Sequence, residues 1–82
     1  MKGDVNMLQF QVNSEKSLVH ALSNLDSEEF IMIEIDNEMG YHIIDLYYEP
    51  KTDNYSMFDN CEINFGSNLS EMEDYIIRYY HL

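Results

Sequence analysis

Apolar and polar positions alternate with a period of two near the start of the chain and with a period close to 3.6 soon after. In MLQFQVN (7–13), Leu8, Phe10 and Val12 fall on one side and Met7, Gln9 and Gln11 on the other, which predicts a short strand. Residues 1–6 are expected to be frayed. Leu18, Ala21, Leu22 and Leu25 then follow the i, i+3, i+4, i+7 spacing of one helix face, with Ser14 or Ser17 as N-cap and 24–27 as the stop. In FIMIEID, Ile31, Ile33 and Ile35 share one strand face, and Phe30, Met32, Glu34 and Asp36 share the other. Gly40 in NEMG supplies the turn. A three-residue loop would place Asp45 beside Ile33 in the core. An even loop instead sets Ile35 opposite His42, Ile33 opposite Ile44 and Ile31 opposite Leu46. A one-residue slip exchanges the two faces, so the even loop is expected.

That register leaves Phe30, Met32, Glu34, Asp36, Tyr41, Ile43, Asp45, Tyr47 and Glu49 on the far face of the hairpin. Carboxylates interleaved with aromatic and aliphatic groups make neither a clean core nor a clean solvent face, and protein-binding surfaces have this composition. A helix covering Phe30 and Tyr47 is the alternative. PKTDN reads as a loop. YSMFDNCEINF (55–65) reads as a third strand, with Cys61, Ile63 and Phe65 inward, Glu62 and Asn64 outward, and a bulge or bend at 58–60. SNLSEME announces a last helix through a Ser70/Glu73 capping box, or an Asn68/Glu71 one. Its apolar stripe is Leu69, Met72, Ile76, Tyr79 and Tyr80. The order β-α-β-β-β-α predicts one α+β domain over residues 1–82, a three- to four-stranded antiparallel sheet packed with two helices.

Composition narrows the function classes. At 82 residues with 45% hydrophobic and 13% aromatic content, the chain is one small domain too apolar to be disordered. No run reaches the ~18 apolar residues of a membrane span, and no signal-peptide core is evident near the N-terminus. With Cys61 as the only cysteine, no internal disulfide is possible, so a cytoplasmic location is expected. Sixteen Asp and Glu oppose four Lys and Arg, a net charge of −12. Between residues 26 and 62 stand eleven acids and the single base Lys51. Direct contact with nucleic acid or an anionic membrane is disfavoured, and a basic protein surface is favoured.

Catalytic and metal chemistry find little footing. His20, His42, His81 and Cys61 have no ligand-pair spacing, and no calcium-loop pattern occurs, so no metal or cofactor is expected. Asp45 with Glu49-Pro50-Lys51 is too compressed for a metal-dependent nuclease, whose substrate this charge would repel. Cys61, mid-strand and inward, reads as a small hydrophobe, and His42 as a packed or edge histidine rather than a base. No enzyme is expected. Of the seven tyrosines, Tyr75, Tyr79 and Tyr80 are expected to pack the last helix, whereas Tyr41, Tyr47 and Tyr55 lie beside acids as interface anchors.

Carboxylates two apart on a strand, such as Glu34 and Asp36, stand roughly 6–7 Å apart, comparable with successive phosphates on one nucleic-acid strand. The apolar-acidic hairpin FIMIEIDNEMGYHII, followed by the carboxylates of YYEPKTD and FDNCEINF, resembles the small acidic anti-CRISPR proteins encoded by phages. The resemblance covers about half the chain and lies in size, charge and layout. It implies an inhibitor in the host cytoplasm that occludes DNA binding by a CRISPR nuclease, with Glu34, Asp36, Asp45 and Glu49 as phosphate mimics. Tyr41, Tyr47, Asp59 and Glu62 complete the expected partner-binding set. An immunity protein or antitoxin that neutralises a basic partner without DNA mimicry predicts the same charge.

Overall fold

The computed structural model describes residues 8–82, so the fray expected at 1–6 lies outside the described residues. Strand β1 (Leu8–Gln11) leads through helix α1 (Glu15–Leu22) and the single turn α2 (Leu25–Glu28) into β2 (Phe30–Asn37). Then come β3 (Gly40–Glu49), β4 (Asn54–Asp59), β5 (Cys61–Gly66) and helix α3 (Leu69–Tyr79). The strands form one sheet in the order β1-β2-β3-β4-β5. The fold is α+β as expected, but the sheet has five strands and is mixed, because β1 runs parallel to β2.

Both departures from the expected layout have physical reasons in how the strands are connected and paired. The helices between β1 and β2 carry the chain back across the sheet, and a crossover of that length delivers the next strand in parallel. The region expected to be one bent strand is two strands, with Asp59 paired to Cys61 around Asn60. Asn60 has φ 72°, a left-handed conformation that Asn tolerates better than most residues, so the backbone reverses there rather than bulging. The bulge lies at the other end of that hairpin, where Tyr55 faces Gly66 and Ser56 faces Asn64, with Phe65 between them in β5.

The central hairpin takes the expected even register. Ile31 pairs with Leu46, Ile33 with Ile44 and Ile35 with His42, leaving Glu38 and Met39 as the loop between Asn37 and Gly40. Asn37 Oδ1 accepts from the Met39 amide at 2.8 Å, and Gly40 takes φ 113°. Ser14 is the N-cap of α1: its hydroxyl accepts from the Ser17 amide at 3.2 Å, and Ser17 Oγ accepts from the Ser14 amide at 3.0 Å. Asn68, not Ser70, caps α3 by accepting from the Glu71 amide at 3.0 Å.

The core lies between the helices and one sheet face. Val12, Leu18, Ala21, Leu22 and Leu25 meet Ile31, Ile33, Ile35, Ile44, Leu46 and Met57, closed by Met72, Ile76 and Tyr80 of the last helical segment. Tyr79, expected in this stripe, is 58% exposed, because Met72, Ile76 and Tyr80 already complete the buried face. Cys61 does lie on the helix side, yet it is exposed, since it opens the edge strand beyond the helical cover.

Three hydrogen bonds fasten the helices to the sheet. The Tyr80 hydroxyl donates to Asp59 Oδ2 at 2.5 Å, with His42 Nδ1 3.4 Å from the same oxygen, and Asn37 Nδ2 donates to the Tyr80 carbonyl at 2.9 Å. The Tyr55 hydroxyl donates to Asp26 Oδ1 at 2.6 Å, joining β4 to α2. Burial and these carboxylates push both phenols far above the ordinary tyrosine value, since a phenolate there would be poorly solvated and beside an anion.

Candidate functional site: the uncovered sheet face

Strand alternation places a second set of side chains on the face opposite the core. Every described helix packs on the other side, so no described element lies over this one. The pairing register orders its groups in rows across the strands. One row runs Phe30, Tyr47, Ser56, Asn64, and the next runs Gln9, Met32, Asp45, Phe58, Glu62. Gln11, Glu34 and Ile43 make a third row, and Asp36 with Tyr41 a fourth at the hairpin tip. Phe30 and Tyr47 stack with ring centroids 4.8 Å apart. The apolar groups stay wet: Tyr41 is 56%, Ile43 45% and Phe58 46% exposed.

Among the described residues the charge on this face has one sign. Glu34, Asp36, Asp45, Glu49 and Glu62 all lie on it. Among the described residues no Lys or Arg does. Lys16 is on α1, Lys51 follows β3 in the connecting loop, and Arg78 on α3 pairs with Asp74 at 2.8 Å.

Hydrogen bonding divides these carboxylates into two groups. Glu34 accepts from the Tyr41 hydroxyl and, at 3.5 Å, from Gln11 Nε2. Its hydrogen bond raises the Tyr41 phenol above the ordinary value. Glu49 Oε2 accepts from the Lys51 amide at 3.1 Å. Asp36, Asp45 and Glu62 accept from no donor among the described residues. Asp45 is nevertheless half-buried between its neighbours. The Tyr47 phenol is raised, first by partial desolvation and then by the charges of Asp45 and Glu62, so its hydroxyl lies within the field of both.

Seven of the eight expected partner-binding residues share this face: Glu34, Asp36, Tyr41, Asp45, Tyr47, Glu49 and Glu62. Asp59 does not. It points to the helix side and holds the Tyr80 hydroxyl, because β4 ends there with its odd-numbered residues inward. Tyr55, expected beside the acids as an anchor, is likewise inward and buried. Phe58 is the functional candidate that the sequence reading passed over. Counting the period from buried Tyr55 and Met57 puts Ser56 and Phe58 on the open side, next to Asp45, and treating 58–60 as a bend concealed that parity. His42 is half-buried on the core side, edge-on to Tyr80 at 4.9 Å, consistent with a packed histidine.

Among the described residues no group of three or more His, Cys, Asp or Glu is placed to hold a metal ion. No described helix is long and apolar enough to cross a membrane. Comparison with protein families, with curated proteins and with solved structures returns no match.

Proposed function

We propose that the chain is an inhibitor that docks the uncovered sheet face into a basic cleft built for nucleic acid, in a CRISPR nuclease or another nucleic-acid enzyme. The observation that carries this reading is the segregation of five carboxylates, with no Lys or Arg among the described residues, onto one face that no described helix covers. Carboxylates alternating along a strand repeat at roughly 6–7 Å and rows on adjacent strands at roughly 5 Å, a density of negative charge that a phosphate-binding groove is built to accept. Long-range attraction steers the two proteins together, and Phe30, Ile43, Tyr47 and Phe58 supply apolar area that phosphate contacts alone lack.

That apolar area also favours a second reading: an immunity- or antitoxin-like module that neutralises a basic partner without imitating DNA. The two part on competition. The chain is immobilised, a captured basic partner is identified, and duplex DNA is titrated into the complex across a salt series. Displacement by DNA, with capture weakening steeply as salt rises, supports the inhibitor of nucleic-acid binding. Salt-sensitive capture that DNA leaves intact supports the second reading. Capture indifferent to salt, or insensitive to removal of the outer-face carboxylates, overturns both.

A further inference from the structure

The carboxylates of the open face are not equivalent, and the difference locates where a partner engages. Glu34 is already held by Tyr41 and Gln11, and Glu49 by a backbone amide in its own loop. Asp45 and Glu62 have no such donor among the described residues, and they occupy one row on either side of Phe58. Adjacent strands are about 4.8 Å apart, so the backbone positions of Asp45 and Glu62 flank that of exposed Phe58 at about that interval on each side. Met32 follows Asp45 in the row, with Gln9 beyond it, and Ile43 and Tyr47 flank Asp45 along β3. The result is an aromatic platform with an anion at each edge and an apolar margin.

Resting on the reading of this face as a docking surface for a basic protein, we propose that the Asp45–Phe58–Glu62 row seats an arginine side chain of the partner, in preference to lysine. A planar guanidinium lies flat on a ring face and keeps its N–H groups in the plane, directed outward to acceptors at the ring's edges. Phe58 with Asp45 and Glu62 offers that arrangement. An ammonium is a compact, strongly hydrated charge that gains from the carboxylates but little from the platform, and it gives up more hydration on approaching Met32 and Ile43. The half-burial of Asp45 adds to the discrimination, because a charge-assisted, bidentate contact offsets its desolvation better than a single ammonium contact does. The hairpin tip, where Glu34 is occupied by Tyr41, contributes long-range attraction that does not distinguish the two cations.

The test uses the intact chain, isotope-labelled, titrated at low salt with nona-arginine and nona-lysine and followed by amide chemical shifts. Nona-arginine is expected to bind about threefold or more tighter, the gain of a guanidinium on an exposed ring, with the largest shifts at Asp45, Phe58 and Glu62. Phe58→Ala removes a half-exposed ring without opening the core, so it should fold, and it should bring the two peptides to equal affinity. Asp36→Asn should weaken both by the same factor. Equal affinity for the two peptides at this face in the unaltered chain overturns the arginine seat and leaves the docking surface standing. So does a preference that survives Phe58→Ala, or one centred on Asp36 and Tyr41. Shifts confined to the helix side, or no shifts with either peptide, overturn the docking surface as well.

Discussion

On the helix side of the sheet, Asp26 and Asp59 each accept a hydrogen bond from a buried tyrosine, and the pairs tie helices to strands. On the opposite side, Asp45 and Glu62 stand near Tyr47 without any donor among the described residues, and Phe58 and Ile43 lie exposed beside them. The same residue types therefore do two jobs, and the difference is what lies beside them. Beside a buried tyrosine hydroxyl, which would be costly to leave unpaired, half-buried Asp59 and exposed Asp26 serve as acceptors. On the open face water solvates the carboxylate, and the cost is deferred until a partner arrives with its own donors. Acid on the inner face belongs to the fold, and acid on the outer face remains available for recognition.

The contrast breaks most visibly under truncation of apolar groups. Ile33→Ala or Leu46→Ala should cost about 2–5 kcal/mol in urea unfolding, because each leaves a cavity in a fully buried layer. Ile43→Ala, next to buried Ile44 in β3 but on the open face, should stay within about 0.5 kcal/mol. Equal losses would mean that the outer face is packed.

The carboxylates should divide in the same way with smaller amplitude. Asp59→Ala is expected to cost about 1–3 kcal/mol by stranding the buried Tyr80 hydroxyl. Asp45→Ala should be close to neutral or slightly stabilising, since it removes one charge from a crowded anionic face. A large loss at Asp45 would reveal a structural partner for it.

Alkaline titration sharpens the comparison further. Tyr55 and Tyr80 have phenols raised above the usual value near 10, so the folded state holds their protons more tightly than the unfolded state does. The stability this contributes is complete below pH 10 and is lost as the pH rises above it. Phenolate absorbance should therefore appear first for the more accessible tyrosines, and the last fraction only with loss of circular dichroism. Tyr55→Phe together with Tyr80→Phe should flatten the decline of stability above pH 10. The smallest effect is that of salt on the isolated chain. Screening should raise stability modestly, by relieving the repulsion of a −12 molecule, while weakening capture of a basic partner.

Much of this arrangement is legible in the residues themselves, and the failures have specific causes. The central hairpin is readable because side chains alternate strictly: only one register keeps Ile31, Ile33, Ile35, Ile44 and Leu46 on one side, and the faces follow from it. The helix caps are narrowed to pairs of candidates, since Ser14 and Asn68 have local partners three residues on. Past residue 54 the reading weakens. Asn60 can serve a bend or a full reversal, and which one occurs depends on whether Cys61, Ile63 and Phe65 find a neighbour strand to pair with. Asp59 illustrates the consequence. Its charge suggested the open face, but its position at the end of β4 turned it toward Tyr80, 21 residues away.

By itself the sequence determined the α+β composition, the core stripe of the hairpin and the concentration of acid between residues 26 and 62, because these depend on local periodicity and on counting. Only the tertiary structure decided that β1 runs parallel, that residues 54–66 form two strands, and that the far side of the sheet carries no described helix. Those outcomes depend on contacts between segments distant in sequence, whose geometry no local pattern encodes. They also decide which carboxylates are held within the fold and which are left facing outward.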